Sequence, residues 1–340
     1  MPTLAFWRQI PKVELHVHLE GSIPPKTLLA LAERNGVDLP AKTEAEIADW
    51  YRFRDFPHFV EVYVGASKCI RSAGDLEFVA RGFLDGQAAQ NILHSEVTYS
   101  ASTIRMFTGI GWAEQMEAIG RAIAYGEQEL GVTMSLITDI IRGKSVAEAM
   151  ELAELAVSYP QVCALGVAGE ESRGTVQYAD AYRYAHNHGV PVVAHAGETC
   201  GPQSIRETLE YAKPVRIGHG VRCVEDPRLV REFAASGIPL EVCPSSNVAL
   251  GIFPSLAEHP FPRMLDEGLN VSINSDDPPM FSTSLSEEFA RCAEAFDLNE
   301  DIAWSLCLNA ANASLLSTEK KQNLITRMRT GFTAAVEAHP

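Results

Sequence analysis

The chain is short of positive charge. Its 340 residues include 28 Lys and Arg against 44 Asp and Glu, a formal net charge of -16 at pH 7. An acidic surface repels phosphate groups, so we expect neither nucleic acids nor anionic membranes as partners. The sequence also lacks any apolar run of about 18 residues, and we therefore expect no transmembrane helix.

Cysteine is present, but without a pairing pattern. The seven cysteines form no CxxC pair, and their number is odd. This disfavours both a disulfide framework and a cysteine-based zinc cluster. The first residues, "MPTLAFWRQIPKVE", lack the basic segment and sustained apolar core of a signal peptide. These features together predict a cytoplasmic protein.

What the sequence does contain is a series of short, β-rich apolar runs with helical stretches between them. Each run is almost continuously apolar and ends in polar or small residues, which is typical of strands buried on both faces of a parallel sheet. About eight strand–helix repeats predict a (β/α)8 TIM barrel, formed as one domain over residues 1–340. The runs are "KVELHVH" (12–18), "ILHSEVTYS" (92–100), "VTMSLITDIIR" (132–142), "VCALGVAGEE" (162–171), "VPVVAHAGE" (190–198), "PVRIGHG" (214–220), "IPLEVCPSSN" (238–247) and "LNVSINSDD" (269–277).

The first strand-to-strand connection is the exception to the repeat. Residues 24–90 contain several predicted helices, including the aromatic-rich "WYRFRDFPHFVEVY". A long insertion at this point follows the carboxyl end of the first strand, where the active sites of such barrels lie. We therefore expect a helical lid, although extra helical packing explains the same aromatic residues equally well.

Chemistry-bearing side chains cluster at the predicted strand ends. His16 and His18 end the first strand, "HAGE" with His195 and Glu198 ends the fifth, and "GHG" with His219 ends the sixth. The eighth strand ends in "SDD", which contributes Asp276 and Asp277. A lone histidine in an apolar strand is usually a core residue. Here, however, four of the chain's ten histidines fall at one mouth of the barrel.

Three imidazoles and one carboxylate are a ligand set that zinc prefers. His16, His18, His195 and Asp276 are expected to hold the ion and to leave a position for water. A zinc ion lowers the pKa of bound water to about 7. The other three groups then act as acids or bases, with Glu198 giving a proton to a ring nitrogen of the substrate while His219 and Asp277 orient the water.

Two other metal architectures fit less well. "HSE" (94–96) matches half of a thiolate-ligated deaminase signature, but the chain has no PCxxC, so Glu96 is predicted to be structural. A two-metal barrel would require a bridging group after the fourth strand. That strand ends "GVAGEE" without lysine, which leaves Glu170 or Glu171 as the alternative bridge.

The sequence resembles the adenosine deaminase family, within the amidohydrolase superfamily of metal-dependent barrels. The resemblance covers nearly the whole chain. It rests on eight segments that occur in the family's order, namely "KVELHVHLEG", "FPHF", "EVTYS", "VAGEE", "HAGE", "RIGHG", "CPSSN" and "NSDDP".

The resemblance implies one zinc ion per chain and a small-molecule purine substrate. It implies that Glu198 protonates N1, that His219 orients the water that attacks C6, and that Asp277 bonds to N7. The backbone at Gly169 would serve N3, and ammonia would leave. Phe56 and Phe59 match the positions where the family's lid helix covers the nucleoside.

Two departures bear on the substrate. Nucleoside-acting members usually read "HLDG" where this chain has "HLEG", and Glu20 would meet the ribose 5′-hydroxyl. Adenine deaminases usually carry this Glu, but they read "RIDHG" where this chain has "RIGHG" with Gly218. The expectation from Gly218 and "VAGEE" is deamination of adenosine to inosine, with adenine as an alternative.

A second alternative is 6-aminodeoxyfutalosine, because that branch shares "HAGET", "RIGHG" and "NSDDPPMF". Its carboxylate would require a dedicated cation, for which Arg52, Arg54 and Arg105 are the candidates. AMP is disfavoured because no basic cluster is apparent to hold a phosphate. A barrel that only binds its ligand, or one that hydrolyses an amide or ester, accounts less well for the complete ligand set with Glu198.

Overall fold

A computed structural model describes residues 2–339, in which eight parallel strands lie side by side in chain order, β1 to β8. Antiparallel neighbours are absent among these strands, as a sheet built from repeated crossover connections requires. The strands are β1 Lys12–His18, β2 Ile92–Tyr99, β3 Thr133–Ile141, β4 Val162–Ala168, β5 Val192–Ala196, β6 Arg216–His219, β7 Leu240–Val242 and β8 Val271–Ile273. The predicted TIM-barrel fold is therefore confirmed.

The barrel closes between β1 and β8, at the carboxyl end. Val17 pairs with Asp276 in an isolated parallel bridge. The His18 amide donates to the Asp276 carbonyl at 2.9 Å, and the Asp276 amide donates to the His16 carbonyl at 3.0 Å. Lower on the seam, the Asn274 side chain accepts from the amides of Leu15 and His16. The closure thus fixes two histidines and one aspartate relative to each other.

Helices form the outer layer. Alternate residues of β1 divide between the layers: Val13, Leu15 and Val17 belong to the apolar cores under the helices. The helices are α1 Leu4–Gln9, α2 Pro25–Asn35, α3 Glu44–Trp50, α4 Phe56–Ser67, α5 Ala73–Ala89, α6 Ala101–Thr108, α7 Trp112–Tyr125, α8 Val146–Ser158, α9 Ala179–Asn187, α10 Pro202–Tyr211, α11 Pro227–Ser236, α12 Pro244–Ala249, α13 Phe261–Asp266, α14 Leu285–Phe296, α15 Glu300–Ala313 and α16 Thr318–Ala338. Within residues 2–339, no helix combines the length and apolar character needed to cross a bilayer.

The insertion after β1 consists of α2 to α5. The last of these, α5, packs against α7 and β2, and so belongs to the outer layer of the barrel. In contrast, α4 presents Phe56, Phe59, Val60, Tyr63 and Val64 to the cavity at the barrel mouth. This spacing of three and four residues places them on one face of the helix. That residues 24–90 act as a lid stays a prediction.

The last two strands are shorter than the sequence suggested. β7 and β8 each have three residues, whereas the apolar runs cover 238–247 and 269–277. In the first of these runs, Pro244 begins α12, because a proline at the first helical position sacrifices no intrahelical hydrogen bond. "CPSSN" is consequently the start of a helix rather than a strand end.

Candidate active site

The predicted metal ligands converge at the carboxyl end of the barrel. His16, His195, His219 and Asp276 each offer a ligand atom within 4.8 Å of all the others. His18 joins the same cluster, since its Nε2 lies 3.4 Å from Asp276 Oδ1 and 3.2 Å from His195 Nε2. Four histidines and one aspartate, which come from four different strands or strand ends, therefore form one cluster, as the sequence predicted.

The outward-facing ring nitrogens have partners that orient the imidazoles. His16 Nδ1 donates to Glu241 at 3.0 Å, and His195 Nδ1 donates to the Val167 carbonyl at 3.1 Å. With the protons held on Nδ1, the Nε2 lone pairs face inward. His16 Nε2 is buried and has no hydrogen-bond partner in the described structure.

The protonation of these rings also suits a cation. Burial lowers the pKa of His18 to about 4 and, with the charge of His16, lowers the pKa of His219 to about 3. Burial and the adjacent imidazoles hold the pKa of His195 well below its usual range. Neutral imidazoles at His18 and His195, together with a carboxylate, are donors that zinc prefers. At His16 the effect of burial is outweighed by hydrogen bonds with Asp276 and Glu241, which raise its pKa to about 10, so a bound ion would displace a proton from this ring.

His219 lies between the ligand cluster and the acid–base groups. Its Nε2 is 3.7 Å from Glu198 Oε1 and 3.9 Å from Asp276 Oδ2, and Asn247 contacts its Nδ1. His219 and Asp276 have φ angles of 63° and 64°, a left-handed conformation that costs a non-glycine residue about 1–3 kcal/mol. Such strain persists where surrounding contacts enforce it, and here it turns both side chains toward the cluster.

Burial favours the protonated forms of two further carboxyl groups at this point. Burial, reinforced by the charge of Asp276, raises the pKa of Glu198 to about 8. Burial and the neighbouring Asp276 raise the pKa of Asp277 well above its usual range. Glu198 can therefore donate a proton near neutral pH.

The turn that carries Glu198 is held by Glu171, a residue whose role the sequence did not reveal. Its carboxylate accepts from the amides of Gly197, Glu198, Thr199 and Cys200 and from the Ser204 hydroxyl. Its neighbour Glu170 is exposed and pairs with Arg173. Neither glutamate belongs to the metal cluster, so the two-metal alternative gains no bridging ligand.

A charged network lies deeper in the barrel. Arg216 pairs with both Glu96 and Glu241, and all three side chains are about 1% exposed. Glu241 in turn bonds to His16. Glu96 is consequently a structural residue, as expected from the missing cysteine motif. Lone charges in apolar strands, as in "LEV" and "VRIG", were the sequence signal for this network.

The cavity above the cluster has one apolar and one acidic side. Phe56, Phe59, Val60, Tyr63 and Val64 form the apolar wall, and Gly169 lies at the end of β4. Asp139 on β3 lines the cavity as well, and sequence reasoning missed it although it is a lone acid within "LITDII". Metal ligands, Glu198 and Asp277 form the floor.

Glu20 does not line the cavity. It is fully buried behind the wall, where it accepts from the Ser100 amide at 3.0 Å and from the Tyr63 hydroxyl at 3.2 Å. The three candidate arginines Arg52, Arg54 and Arg105 are exposed and lie outside the cavity. In residues 2–339, no lysine or arginine lines it.

Comparisons with known proteins agree with this geometry. Residues 11–330 match the family described as adenosine deaminase. An adenine deaminase of Rhizobium leguminosarum bv. trifolii is 37% identical over 323 residues, covering 94% of this chain and 99% of the relative. The crystal structure of an adenine deaminase from Arthrobacter aurescens superposes with a TM-score of 0.90 at 31% identity, covering 96% of this chain and 99% of that one. An amidohydrolase from Burkholderia ambifaria with bound zinc also has a TM-score of 0.90, at 26% identity, over 98% of this chain and 94% of its own.

Proposed function

From the premise that the chain belongs to the adenosine deaminase family and is a hydrolytic deaminase, we propose that its substrate is free adenine. Water adds at C6, the C6–N6 bond breaks, and the products are hypoxanthine and ammonia. Adenosine was the first expectation from the sequence, but the comparisons do not support it. The alternative of adenine fits them better, because the relatives are named adenine deaminases.

The position of Glu20 is the observation that carries the choice of a base. A residue that recognises the ribose must reach the cavity, whereas Glu20 is turned away and both its oxygens are bonded to Ser100 and Tyr63. Burial and the charge of Asp139 raise the pKa of Glu20 to about 8, which is a further sign that water does not reach it.

Gly218 had favoured a nucleoside, and its surroundings give another reason for its presence. A Cβ at this position would lie 2.6 Å from His16 Cε1 and 2.9 Å from His16 Nδ1. Real Cβ atoms do not approach so closely, so glycine lets the His16 ring pack against β6. In this chain the residue therefore contributes to the packing of the His16 ring.

The proposed metal is one zinc ion per chain, held by His16, His18, His195 and Asp276. The neutral imidazoles of His18 and His195 and the inward-facing Nε2 atoms of His16 and His195 support this assignment. When bound, the ion supplies a Lewis acid that activates the attacking water.

The remaining roles follow from the protonation states. Glu198, protonated near neutral pH, gives its proton to N1 and so makes C6 more electrophilic. Asp277 forms a hydrogen bond with N7, and the Gly169 amide donates to N3. His219, with a neutral ring beside Glu198, orients the water toward C6. Phe56 and Phe59 cover the purine face from α4.

Two charged substrates gain no support. Aminodeoxyfutalosine carries a carboxylate and AMP a phosphate, and either group would require a cation in the cavity. The described residues provide none there. The acidic side chain of Asp139 on the cavity wall would oppose both substrates once it is ionised.

Ammonia release tests the proposal on a panel of adenine, adenosine, deoxyadenosine, N6-methyladenine, AMP and aminodeoxyfutalosine. We expect adenine to give the highest kcat/KM, at least about 100-fold above adenosine, because the hydrogen-bonding pattern of the cavity suits a ring without a sugar. Comparable values for adenosine and adenine would refute the assignment of a free base.

A further inference from the structure

Asp139 is an unpaired hydrogen-bond acceptor at the cavity wall. It follows Ile137 on the inner face of β3, where Ile137 packs against Ala164 and Val193 inside the barrel. The side chain of Asp139 lines the cavity and is 1% exposed. Its Oδ2 accepts from the Ser100 hydroxyl at 3.2 Å, while its Oδ1 has no partner in the described structure.

An acid in this position is costly without a ligand. Burial raises the pKa of Asp139 to about 7, and the nearby Glu20 is a second acid rather than a counter-charge. A buried acceptor without a partner destabilises a protein by about 1–3 kcal/mol. An unsatisfied group of this kind requires an explanation, and at the wall of a cavity a ligand can supply the missing donor.

The strand order indicates which atom of the substrate supplies that donor. Under the proposed function, N1 faces Glu198 after β5, N3 faces Gly169 after β4, and N7 faces Asp277 after β8. Along the purine perimeter the nitrogens occur in the order N1, N3, N9 and N7. Around the barrel the strands occur in the order β5, β4, β3, β2, β1 and β8. N9 therefore faces the sector from β3 to β1, where Asp139 and Ser100 lie.

The tautomer of the bound base agrees with this placement. The N9–H tautomer is the predominant form of free adenine in water. In this form the single ring proton resides on N9, which makes N9–H a donor. In a nucleoside, N9 carries the sugar and has no proton.

We propose that Asp139 accepts the hydrogen bond of N9–H and thereby restricts the enzyme to bases that are not substituted at N9. The proposal rests on the proposed function and adds a specificity-determining residue to it. A substituent on N9 removes the donor and also presses on the wall formed by Ser100 and Asp139. Discrimination thus combines an unsatisfied acceptor with steric exclusion.

The test compares adenine with 9-methyladenine in the wild-type protein and in Asp139→Leu. Leucine has nearly the shape of aspartate but no acceptor, so the substitution opens no new space for the methyl group. For the wild type we expect adenine to exceed 9-methyladenine in kcat/KM by roughly 10- to 100-fold, the range for one hydrogen bond to a charged group. Asp139→Leu should lower the adenine value by a similar factor, mainly through KM, and should change the 9-methyladenine value less than about threefold.

Two other variants separate specificity from structure. Thr103→Val removes a hydroxyl from the same cavity and should affect both substrates alike. Asp139→Asn keeps an acceptor without the charge and should give an intermediate loss with adenine. Zinc content and thermal unfolding report on whether each variant is folded.

Equal loss of both substrates in Asp139→Leu, or a wild type that does not distinguish them, would overturn the proposal. If Asp139→Leu does not fold, the proposal is still tested by the wild-type ratio of kcat/KM for adenine and 9-methyladenine and by the loss of adenine turnover in Asp139→Asn. Failure of the proposed function has a different signature, namely a wild type that converts adenosine and leaves adenine unchanged.

Discussion

Replacement of Glu171 by alanine should both destabilise the protein and slow the reaction. The carboxylate of Glu171 is the common acceptor for the turn that follows β5, and this turn carries Glu198. Alanine removes both oxygens and leaves the turn amides without a partner. The neighbouring glutamate, Glu170, provides a matched control because it is exposed and bonds only to Ser172 and Arg173.

The magnitude follows from which donors water can reach. Gly197 and Glu198 are buried, whereas Thr199 and Cys200 are half-buried, so solvent can satisfy the second pair. Two buried amides without partners cost about 1–3 kcal/mol each, which predicts a loss of about 2–6 kcal/mol in the free energy of unfolding. Glu171→Gln retains one acceptor oxygen and should lose about half as much.

The kinetic effect arises from the position of Glu198. A displacement of about 1 Å in a reacting group can reduce the rate on the order of 100-fold. We expect Glu171→Ala to lower kcat by about that factor and to retain the metal, because His195 precedes the turn and is held by Val167. Glu170→Ala should change the unfolding free energy by less than about 0.5 kcal/mol, as is usual for an exposed pair.

Urea unfolding of the metal-loaded protein, metal analysis and steady-state kinetics with adenine provide the three measurements. If the free energy of unfolding of Glu171→Ala is within about 1 kcal/mol of the wild-type value and kcat is near-native, the turn does not depend on this carboxylate. An equal loss in Glu170→Ala would point to a general charge effect in the segment.

Two other substitutions probe the acids of the site. Glu198→Gln should retain about one zinc per chain and lose roughly 100- to 10,000-fold in kcat, the usual contribution of a general acid; turnover near the wild-type rate would exclude it as the proton donor. Glu20→Gln tests the buried acid behind the wall. Since the pKa of Glu20 is raised from 4.5 to about 8 in the folded protein, deprotonation destabilises the fold as pH rises through that range. The stability of Glu20→Gln relative to the wild type should therefore increase between pH 5 and pH 8.5, on the order of 2 kcal/mol in urea unfolding, and a constant difference would contradict the burial of an ionisable group.

Much of the architecture follows from local pattern. The continuous apolar runs predict strands buried on both faces, and their alternation with helices predicts a barrel. Because parallel strands end at one edge, residues such as His16, His195 and Asp276 can be assigned to a common site without any knowledge of distances. The structure confirms the fold and brings these residues together.

The substrate was harder to predict, because single residues were interpreted without their surroundings. Gly218 was taken as a sign of a nucleoside, yet its role depends on the ring of His16 from another strand. Glu20 was placed against the ribose, yet hydrogen bonds from Tyr63 and Ser100 turn it away from the cavity. Neither contact is visible along the chain, since the partners lie far apart in sequence.

By itself, the sequence determined the fold, the order of the strands and the set of residues at the barrel mouth, because hydrophobic periodicity and parallel pairing are local rules. Only the tertiary structure revealed the raised pKa values of Glu198 and Asp277, the hydrogen bonds by which Glu171 holds the turn, and the unpaired acceptor oxygen on Asp139. These properties depend on burial and on distances of about 3–4 Å between residues from different strands, where the balance of desolvation and neighbouring charge sets the pKa and the free hydrogen-bonding positions.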